Sequence, residues 1–148
     1  GVVFNPAQDQ LFEAVRGGGA YLNGAKISVT DNSQRKGLSI LASRSEHREA
    51  GWPERFGADN VHAMSSIAYK LALVAAGRFD ATASAWPKAD WDICAGCLLV
   101  TEAGGQVSSI GGKPFIFNQE RPLHPTSLAS NGHLHAALIE ELQEWAEK

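Results

Sequence analysis

An aspartate at the start of an apolar helical segment is the side chain best suited to chemistry in this sequence. Asp92 lies at the beginning of the segment Trp91 to Ala103, which is apolar on nearly every face. This pattern predicts a buried helix, and a carboxylate in its first turn gains from free N–H groups and the helix dipole. Asp92 is therefore either a helix cap or a rigidly held metal ligand. Magnesium prefers one or two carboxylates with phosphate oxygens and water, so a metal site needs ligands from elsewhere.

Two serines precede a second helical segment. Ser65 and Ser66 stand directly before residues 67–76, whose apolar spacing predicts a helix that ends at Gly77. Hydroxyl and N–H groups at a helix N-terminus can contact the oxygens of an anionic substrate. Plain N-capping uses the same groups and stays open as the alternative.

Cys94 and Cys97 form a Cys-x-x-Cys pair inside the helical segment Trp91 to Ala103. Such a pair can be a redox motif or half of a zinc site. No second pair is present, and no histidine lies near it in the sequence. We interpret both cysteines as small buried residues of a packed helix.

The remaining elements are read from periodicity and turn residues. Strands are predicted near the N-terminus, on both sides of Asn23-Gly24, and over 38–42, 60–64, 80–85, 106–110 and 127–130. A capping box formed by Ser43 and Glu46 predicts a short helix, which Gly51-Trp52-Pro53 interrupts, and a last helix is predicted from about His133. Because strands alternate with helices in the second half, the fold class is α/β with a mixed sheet layered with helices.

The composition is that of a globular domain. Hydrophobic residues make up 44% and charged residues 20%, and the formal net charge is −3. No basic tract of the kind that binds nucleic acid is present, and no apolar run approaches the ~20 residues that span a bilayer. We therefore expect neither a nucleic acid polymer nor a membrane as a partner, and the cytoplasm as the compartment.

Four stretches, in order along the chain, resemble the inositol monophosphatase superfamily. The Trp-Asp-x-x-Ala-Gly run from Trp91, followed by Glu-Ala-Gly-Gly from Glu102, resembles its C-terminal signature. Residues 1–6, 18–24 and 73–80 resemble its central strand, its hairpin and a helix-to-strand junction. The resemblance implies that the chain is similar to the C-terminal half of the layered sandwich of such an enzyme.

The resemblance also implies a role for Asp92 and a set of absent partners. In the family, Asp92 would be the Mg²⁺-binding aspartate that the C-terminal half contributes. The other ligands lie in an upstream Glu-Glu motif and an Asp-Pro-x-Asp-Gly-Thr motif, and neither is found here, since Glu140-Glu141 lies on the final amphipathic helix. We expect residues 1–148 to be a C-terminal domain without the N-terminal metal-binding half, with no catalytic residue of its own and no activity alone.

The implied activity is magnesium-dependent hydrolysis of a small phosphorylated substrate, and two substrates compete. Inositol-specific members carry a glutamate seven residues before the motif aspartate, where this sequence has Ala85. Lys88 and the stretch that contains Ser43 and Arg44 resemble features of 3′(2′),5′-bisphosphate nucleotidases, although the same residues suit a solvated lysine and a capping box. A bisphosphate nucleotide is therefore the leading substrate and inositol monophosphate the second.

Two expectations concern partners and class. An exposed strand edge near residues 2–15 predicts self-association or pairing with the absent half. A non-catalytic binding or regulatory domain with the same fold is the rival from another class. An upstream reading frame that encodes the acidic motifs would separate the two.

Overall fold

The computed structural model describes residues 1–49 and 51–146, which form eleven strands and five α-helices. The strands are β1 Val2–Asn5, β2 Gln10–Val15, β3 Gly19–Leu22, β4 Ala25–Ile27, β5 Ile40–Ala42, β6 Val61–Ala63, β7 Ala81–Ser84, β8 Lys88–Ala89, β9 Gln106–Ser108, β10 Leu123–His124 and β11 Ser127–Ser130. The helices are α1 Arg44–Glu49, α2 Trp52–Phe56, α3 Ile67–Ala75, α4 Asp90–Glu102 and α5 His135–Ala146, with a 3-10 turn at Ala58–Asn60. Within these residues, no helix combines the length and apolar character needed to cross a bilayer.

The first four strands form an antiparallel sheet in the order β1-β2-β3-β4. Asn23 and Gly24 join β3 to β4 with positive φ angles of 49° and 80°, as a type I′ turn requires, which confirms the predicted hairpin. Glu102, at the end of α4, accepts the N–H groups of Gly17 and Gly19 at 2.9 and 3.0 Å. These two hydrogen bonds attach the turn between β2 and β3 to the helix and hold the pKa of Glu102 below its ordinary value.

A second, mixed sheet has the order β6-β5-β7-β11-β9. Strand β5 runs parallel to β6 and β7, whereas β11 is antiparallel to both β7 and β9. A short β8–β10 ladder lies beside it. The predicted mixed α/β architecture is confirmed.

Helices α3 and α4 lie between the two sheets. They contact strands of both sheets, and their apolar side chains share one buried cluster with Phe12 of β2 and Ala129 of β11. The opposite face of the mixed sheet is covered by α2 and α5 through a second cluster that includes Trp52 and Leu138. The layers therefore run sheet, helices, sheet, helices.

Two glycines of the signature segment allow this close packing. A Cβ at Gly96 would lie 2.6 Å from the Cβ of Leu71 on α3, and a Cβ at Gly105 would meet the carbonyl oxygen of Ser130. Only a residue without a side chain fits at either place. Gly96 thus lets α4 approach α3 and brings their N-terminal ends together.

The structure corrects three details of the prediction. Helix α4 is not buried on every face, because Trp91 is 76% exposed. Of the two cysteines that were both predicted to be buried, Cys97 is buried and Cys94 is exposed. The last helix begins at His135 rather than at about residue 133. Gly51, with φ 66°, is the N-cap of the short helix α2, so the predicted interruption at Gly51-Trp52-Pro53 is the start of a further helix.

Candidate functional site

An open cleft of about 440 Å³ lies where the N-terminal ends of α3 and α4 meet strand β1. Asp92 and Trp91 of α4, Ser66 and Tyr69 beside and on α3, and the backbone of β1 line it. The close contact at Gly96 sets this geometry, since it fixes the spacing of the two helices one turn farther along. The cleft therefore combines a carboxylate with the N-terminus of a nine-residue helix.

Asp92 is the third residue of α4 and lies exposed in the cleft. Among the described residues, its carboxylate accepts one hydrogen bond, from the N–H of Ala89 at 3.3 Å. This bond is half of a capping box, so the predicted helix-capping contact is present. A carboxylate with a single long hydrogen bond keeps oxygen lone pairs for an outside ligand.

Ser66 is the N-cap of α3. Its hydroxyl accepts the N–H of Tyr69 at 3.3 Å, and its backbone has a φ of 65°, a conformation that side-chain-bearing residues rarely adopt. The N-capping alternative is thus confirmed for Ser66, which also lines the cleft. Ser65 is exposed next to it and lies outside the lining of the cleft.

Ser43 and Lys88 meet in a second place, a polar cluster built around Glu46. The Glu46 carboxylate is fully buried and accepts hydrogen bonds from the Ser43 hydroxyl at 2.6 Å, from the Ser84 hydroxyl at 2.9 Å, and from the Ala85 N–H at 2.7 Å. The Lys88 ammonium donates to the Ser84 hydroxyl at 2.7 Å. We call Ser43, Glu46, Lys70, Ser84 and Lys88 the Glu46 cluster.

Lys70 of α3 is the most deeply buried cation of that cluster, with 1% of its surface exposed. Burial lowers its pKa to about 8; the Glu46 carboxylate raises it and Lys88 lowers it. Burial likewise lowers the pKa of Lys88, while the carboxylates of Glu46 and Asp92 raise it. Lys88 therefore lies within electrostatic reach of the cleft as well as of the cluster.

The start of α4 is held by a separate set of contacts. Asp90 accepts the N–H of Asn118 at 2.7 Å and lies 2.6 Å from Nε2 of His124. The rings of Phe115 and Phe117 pack against His124 with centroids 4.8 and 5.4 Å away. This clamp attaches the long segment between β9 and β10 to the turn that carries Asp92, and the backbone contact with Asn118 lowers the pKa of Asp90.

Asp92 suits a magnesium ion as one ligand of several. Its exposed carboxylate is a hard oxygen donor, which matches the preference of Mg²⁺. The described residues contain no group of three or more His, Cys, Asp or Glu side chains that could hold a metal. The chemistry of Asp92 thus fits a shared magnesium site, to which other carboxylates must be added.

The predicted residues divide between these two places. Asp92 and Ser66 line the cleft, Ser43 and Lys88 belong to the Glu46 cluster, and Arg44 is exposed on α1. The sequence identified Glu46 only as part of a capping box and did not indicate that it belongs to a buried cluster. The capping contact that the sequence indicates is present, because the Glu46 N–H donates to Ser43 Oγ at 3.2 Å. The sequence gives no sign that the Glu46 carboxylate also accepts hydrogen bonds from Ser84 and Ala85.

Comparison with known proteins agrees with this arrangement. The sequence profile of the Inositol monophosphatase family matches residues 1–147. The chain belongs to the inositol monophosphatase family. The family is one of phosphatases, and the signature segment that forms α4 is thereby placed in a phosphatase fold.

Individual family members match nearly all of this chain and part of their own length. An inositol-1-monophosphatase of Rhizobium meliloti is 36% identical over an alignment of 157 positions, which covers 96% of this chain and 54% of that protein. A protein named Nus factor SuhB from Xylella fastidiosa is 36% identical over an alignment of 119 positions, which covers 75% of this chain and 43% of that protein. An inositol monophosphatase structure from Thermotoga maritima superposes with a TM-score of 0.84 and 30% identity, over 99% of this chain and 56% of that one. The chain spans about half the length of the curated relatives it matches.

Proposed function

We propose that this chain supplies one side of the active site of a magnesium-dependent phosphomonoesterase. The observation that carries the proposal is Asp92, an exposed carboxylate with one long hydrogen bond, in a cleft next to a helix N-terminus. Asp92 would hold the ion at a position that α4 and the Asp90 clamp fix.

The neighbours of Asp92 suit a phosphate ester. The N-terminus of α3 presents N–H groups and a positive dipole end toward the cleft, where phosphate oxygens gain from both. Ser66 would orient one of these oxygens with its hydroxyl. Bound magnesium would neutralise phosphate charge and activate water. Because one protein carboxylate cannot fix the ion, the remaining ligands would come from a segment outside these residues, and residues 1–148 alone would be inactive.

The leading substrate is a 3′(2′),5′-bisphosphate nucleotide. At position 85 this chain has an alanine, which offers no carboxylate to a substrate hydroxyl, while Lys88 contributes a positive charge within reach of Asp92. A second phosphate on the substrate would be attracted by that charge. Ser43 supports Lys88 through its hydrogen bond with Glu46. Ser65 and Arg44 are exposed and would contact the rest of the ligand.

Inositol monophosphate is the second candidate, because relatives that are about a third identical to this chain over the aligned part are named inositol monophosphatases. Phosphate release by the whole protein from both substrates, at saturating magnesium, tests the order. We expect kcat/KM to favour the bisphosphate by at least about tenfold, which corresponds to one well-placed charge contact. A preference for inositol monophosphate, strengthened further by Ala85→Glu, would reverse the order.

A non-catalytic binding or regulatory role is the rival, and the resemblance to a protein named as a Nus factor favours keeping it in the test. A whole protein that binds the nucleotide but releases no phosphate from either substrate would support it.

The partner of this chain would add to the edge of β1. Strand β1 pairs with β2 on one side, and Val2 and Phe4 are more than half exposed beside the cleft. A free edge with apolar neighbours pairs readily with another strand. We expect residues 1–148 to self-associate in sedimentation velocity unless the complementary segment is supplied; a monomer at high concentration would contradict this.

A further inference from the structure

A fully buried carboxylate next to the candidate site has no role in the proposed reaction. Glu46 lies in the first turn of α1, where a capping residue normally stays exposed, yet none of its surface is accessible. Burying a charge is costly unless hydrogen bonds and countercharges compensate. Three donors from two segments converge on it: the Ser43 hydroxyl before α1, and the Ser84 hydroxyl and Ala85 N–H at the end of β7.

The hydrogen bonds at Ser84 have a direction. Its hydroxyl oxygen receives the Lys88 ammonium at 2.7 Å and the Trp86 N–H at 3.2 Å, so both lone pairs are used. The Ser84 Oγ atom lies 2.9 and 3.1 Å from the two carboxylate oxygens of Glu46 and 3.2 Å from the Trp86 carbonyl oxygen, and the negatively charged carboxylate is the stronger acceptor for its single proton. The proton therefore points to Glu46, which polarises the hydroxyl and strengthens its contact with Lys88.

The Lys88 ammonium is held in one orientation by these contacts. Its other donors reach the carbonyl oxygens of Trp86 at 2.9 Å and Pro87 at 3.3 Å. Lys88 belongs to β8, which leads directly into α4 and Asp92. The Lys88 ammonium is thus fixed by three oxygens, and the polypeptide reaches Asp92 of the cleft four residues later.

We propose that Glu46 is a positioning residue, which acts through Ser84 to fix the Lys88 ammonium beside the Asp92 cleft. The use of that charge for a phosphate substrate rests on the proposed function, whereas the relay itself does not. Glu46 connects the start of α1 to the site without touching the ligand. Ser43, which does not line the cleft, is connected to Lys88 through its hydrogen bond with Glu46.

The relay can be tested on the whole protein by nitrogen-15 NMR of its lysine side chains, with the Lys88 signal assigned from Lys88→Met. Ser84→Ala removes the hydroxyl, and we expect the ammonium protons of Lys88 to exchange with water about tenfold faster. Glu46→Gln keeps the shape, because an amide can accept from Ser84 and Ala85 and donate to Ser43. Only the charge is lost, so the expected acceleration is smaller, about threefold.

A double variant and a matched control make the result decisive. If Glu46 acts through Ser84, adding Glu46→Gln to Ser84→Ala produces no further change in exchange at Lys88. Ser127 lies opposite Ser84 in the β7–β11 pair, and its buried hydroxyl has no hydrogen-bond partner in the described part of the chain, so Ser127→Ala should leave Lys88 unchanged. Additive effects, or an unchanged Lys88 signal in a folded Ser84→Ala chain, would overturn the relay.

Kinetics of the whole protein separate the relay from the function. We expect Ser84→Ala and Lys88→Met each to raise KM several-fold with kcat nearly unchanged, and their combination to raise it no further than Lys88→Met alone. An additive rise in KM would count against the relay. If the whole protein releases no phosphate at all, the proposed function is wrong, and the NMR experiment still decides whether Glu46 positions Lys88.

Discussion

The cleft around Asp92 and the cluster around Glu46 are opposite solutions for a carboxylate in the first turn of a helix. Asp92 is exposed and accepts one hydrogen bond at 3.3 Å, whereas Glu46 is fully buried and accepts bonds from three donors at 2.6–2.9 Å. Lys88 lies within the field of both. The difference shows which carboxylate is available to an outside ligand and which one is already committed to the protein.

The contrast also separates activity from stability. A carboxylate with few partners can be replaced at little cost to the fold, because little is left unpaired. A buried charge whose partners depend on it affects the fold first. The following experiments would break or refine this division.

The largest expected effect is the loss of activity in Asp92→Asn. We expect phosphate release by the whole protein to fall by on the order of a hundredfold or more, because removal of a metal ligand takes several kcal/mol from transition-state stabilisation. The amide can still accept the Ala89 N–H, so the free energy of unfolding should change by less than about 1 kcal/mol. Turnover at saturating magnesium and thermal melting measure the two quantities, with Asp59→Asn as an exposed control. Turnover within a few-fold of the wild type would leave Asp92 as a helix cap only.

The next effect is a gain of stability in Lys70→Met, which removes a buried charge. The pKa of Lys70 is about 8 in the folded chain, against 10.5 for a lysine in the unfolded chain. Between these pH values the unfolded chain holds more protons, so wild-type stability rises with pH. The variant should therefore be more stable by roughly 3 kcal/mol below pH 8, and the advantage should disappear near pH 10.5. Urea unfolding across this pH range measures it.

Lys113→Met, at an exposed lysine, is the control for that series and should change stability by less than about 0.5 kcal/mol at every pH. A constant difference between Lys70→Met and wild type from pH 7 to 11 would show that methionine packs better and that charge plays no part.

A smaller loss is expected from Gly96→Ala, because the new methyl group would overlap Leu71. Overpacking of this kind costs about 1–3 kcal/mol. The helices should also move apart, which would widen the cleft at their ends. Adding Leu71→Ala should relieve the overlap, so that the double variant loses less stability than the sum of the two single changes. Strict additivity would mean that the two helices already have room.

The smallest effect belongs to Cys94→Ser. Cys94 is exposed and its neighbour Cys97 is buried, with its pKa raised to about 12 mainly by burial. A thiol pair of this kind is a poor redox couple. Stability should change by less than about 0.5 kcal/mol, and activity should be the same under reducing and oxidising conditions. A redox-dependent activity that Cys94→Ser abolishes would show that the Cys-x-x-Cys pair has a redox role.

Features with a local cause could be predicted from the sequence. The hairpin at Asn23-Gly24 and the helices α3 and α4 depend on residues a few positions apart, and the structure has them within a few residues of the predicted bounds. The strands β8 and β10 have two residues each and were not predicted, because such short strands show no periodicity.

The candidate site follows the same division. Asp92 and Ser66 were found because helix N-termini have local signatures. The contact of Glu46 with Ser84 joins residues 38 positions apart, and the exposure of Trp91 depends on which surfaces are covered in three dimensions. A capping-box pattern identified Glu46 but could not show that its carboxylate is buried and also accepts hydrogen bonds from Ser84 and Ala85. Tertiary packing, which the sequence pattern does not encode locally, decided both.

The two hydrogen bonds from Gly17 and Gly19 to Glu102 join residues more than 80 positions apart, and this separation has a kinetic consequence. The meander β1–β4 pairs only neighbours along the chain, so it can form early, whereas closure of long loops is slow. Protection of the Gly17 and Gly19 amides against hydrogen exchange can arise only after α4 has docked on the meander. In a pulsed-exchange refolding experiment, protection of these two protons would report when α4 docks on the β1–β4 meander, separately from the formation of either sheet.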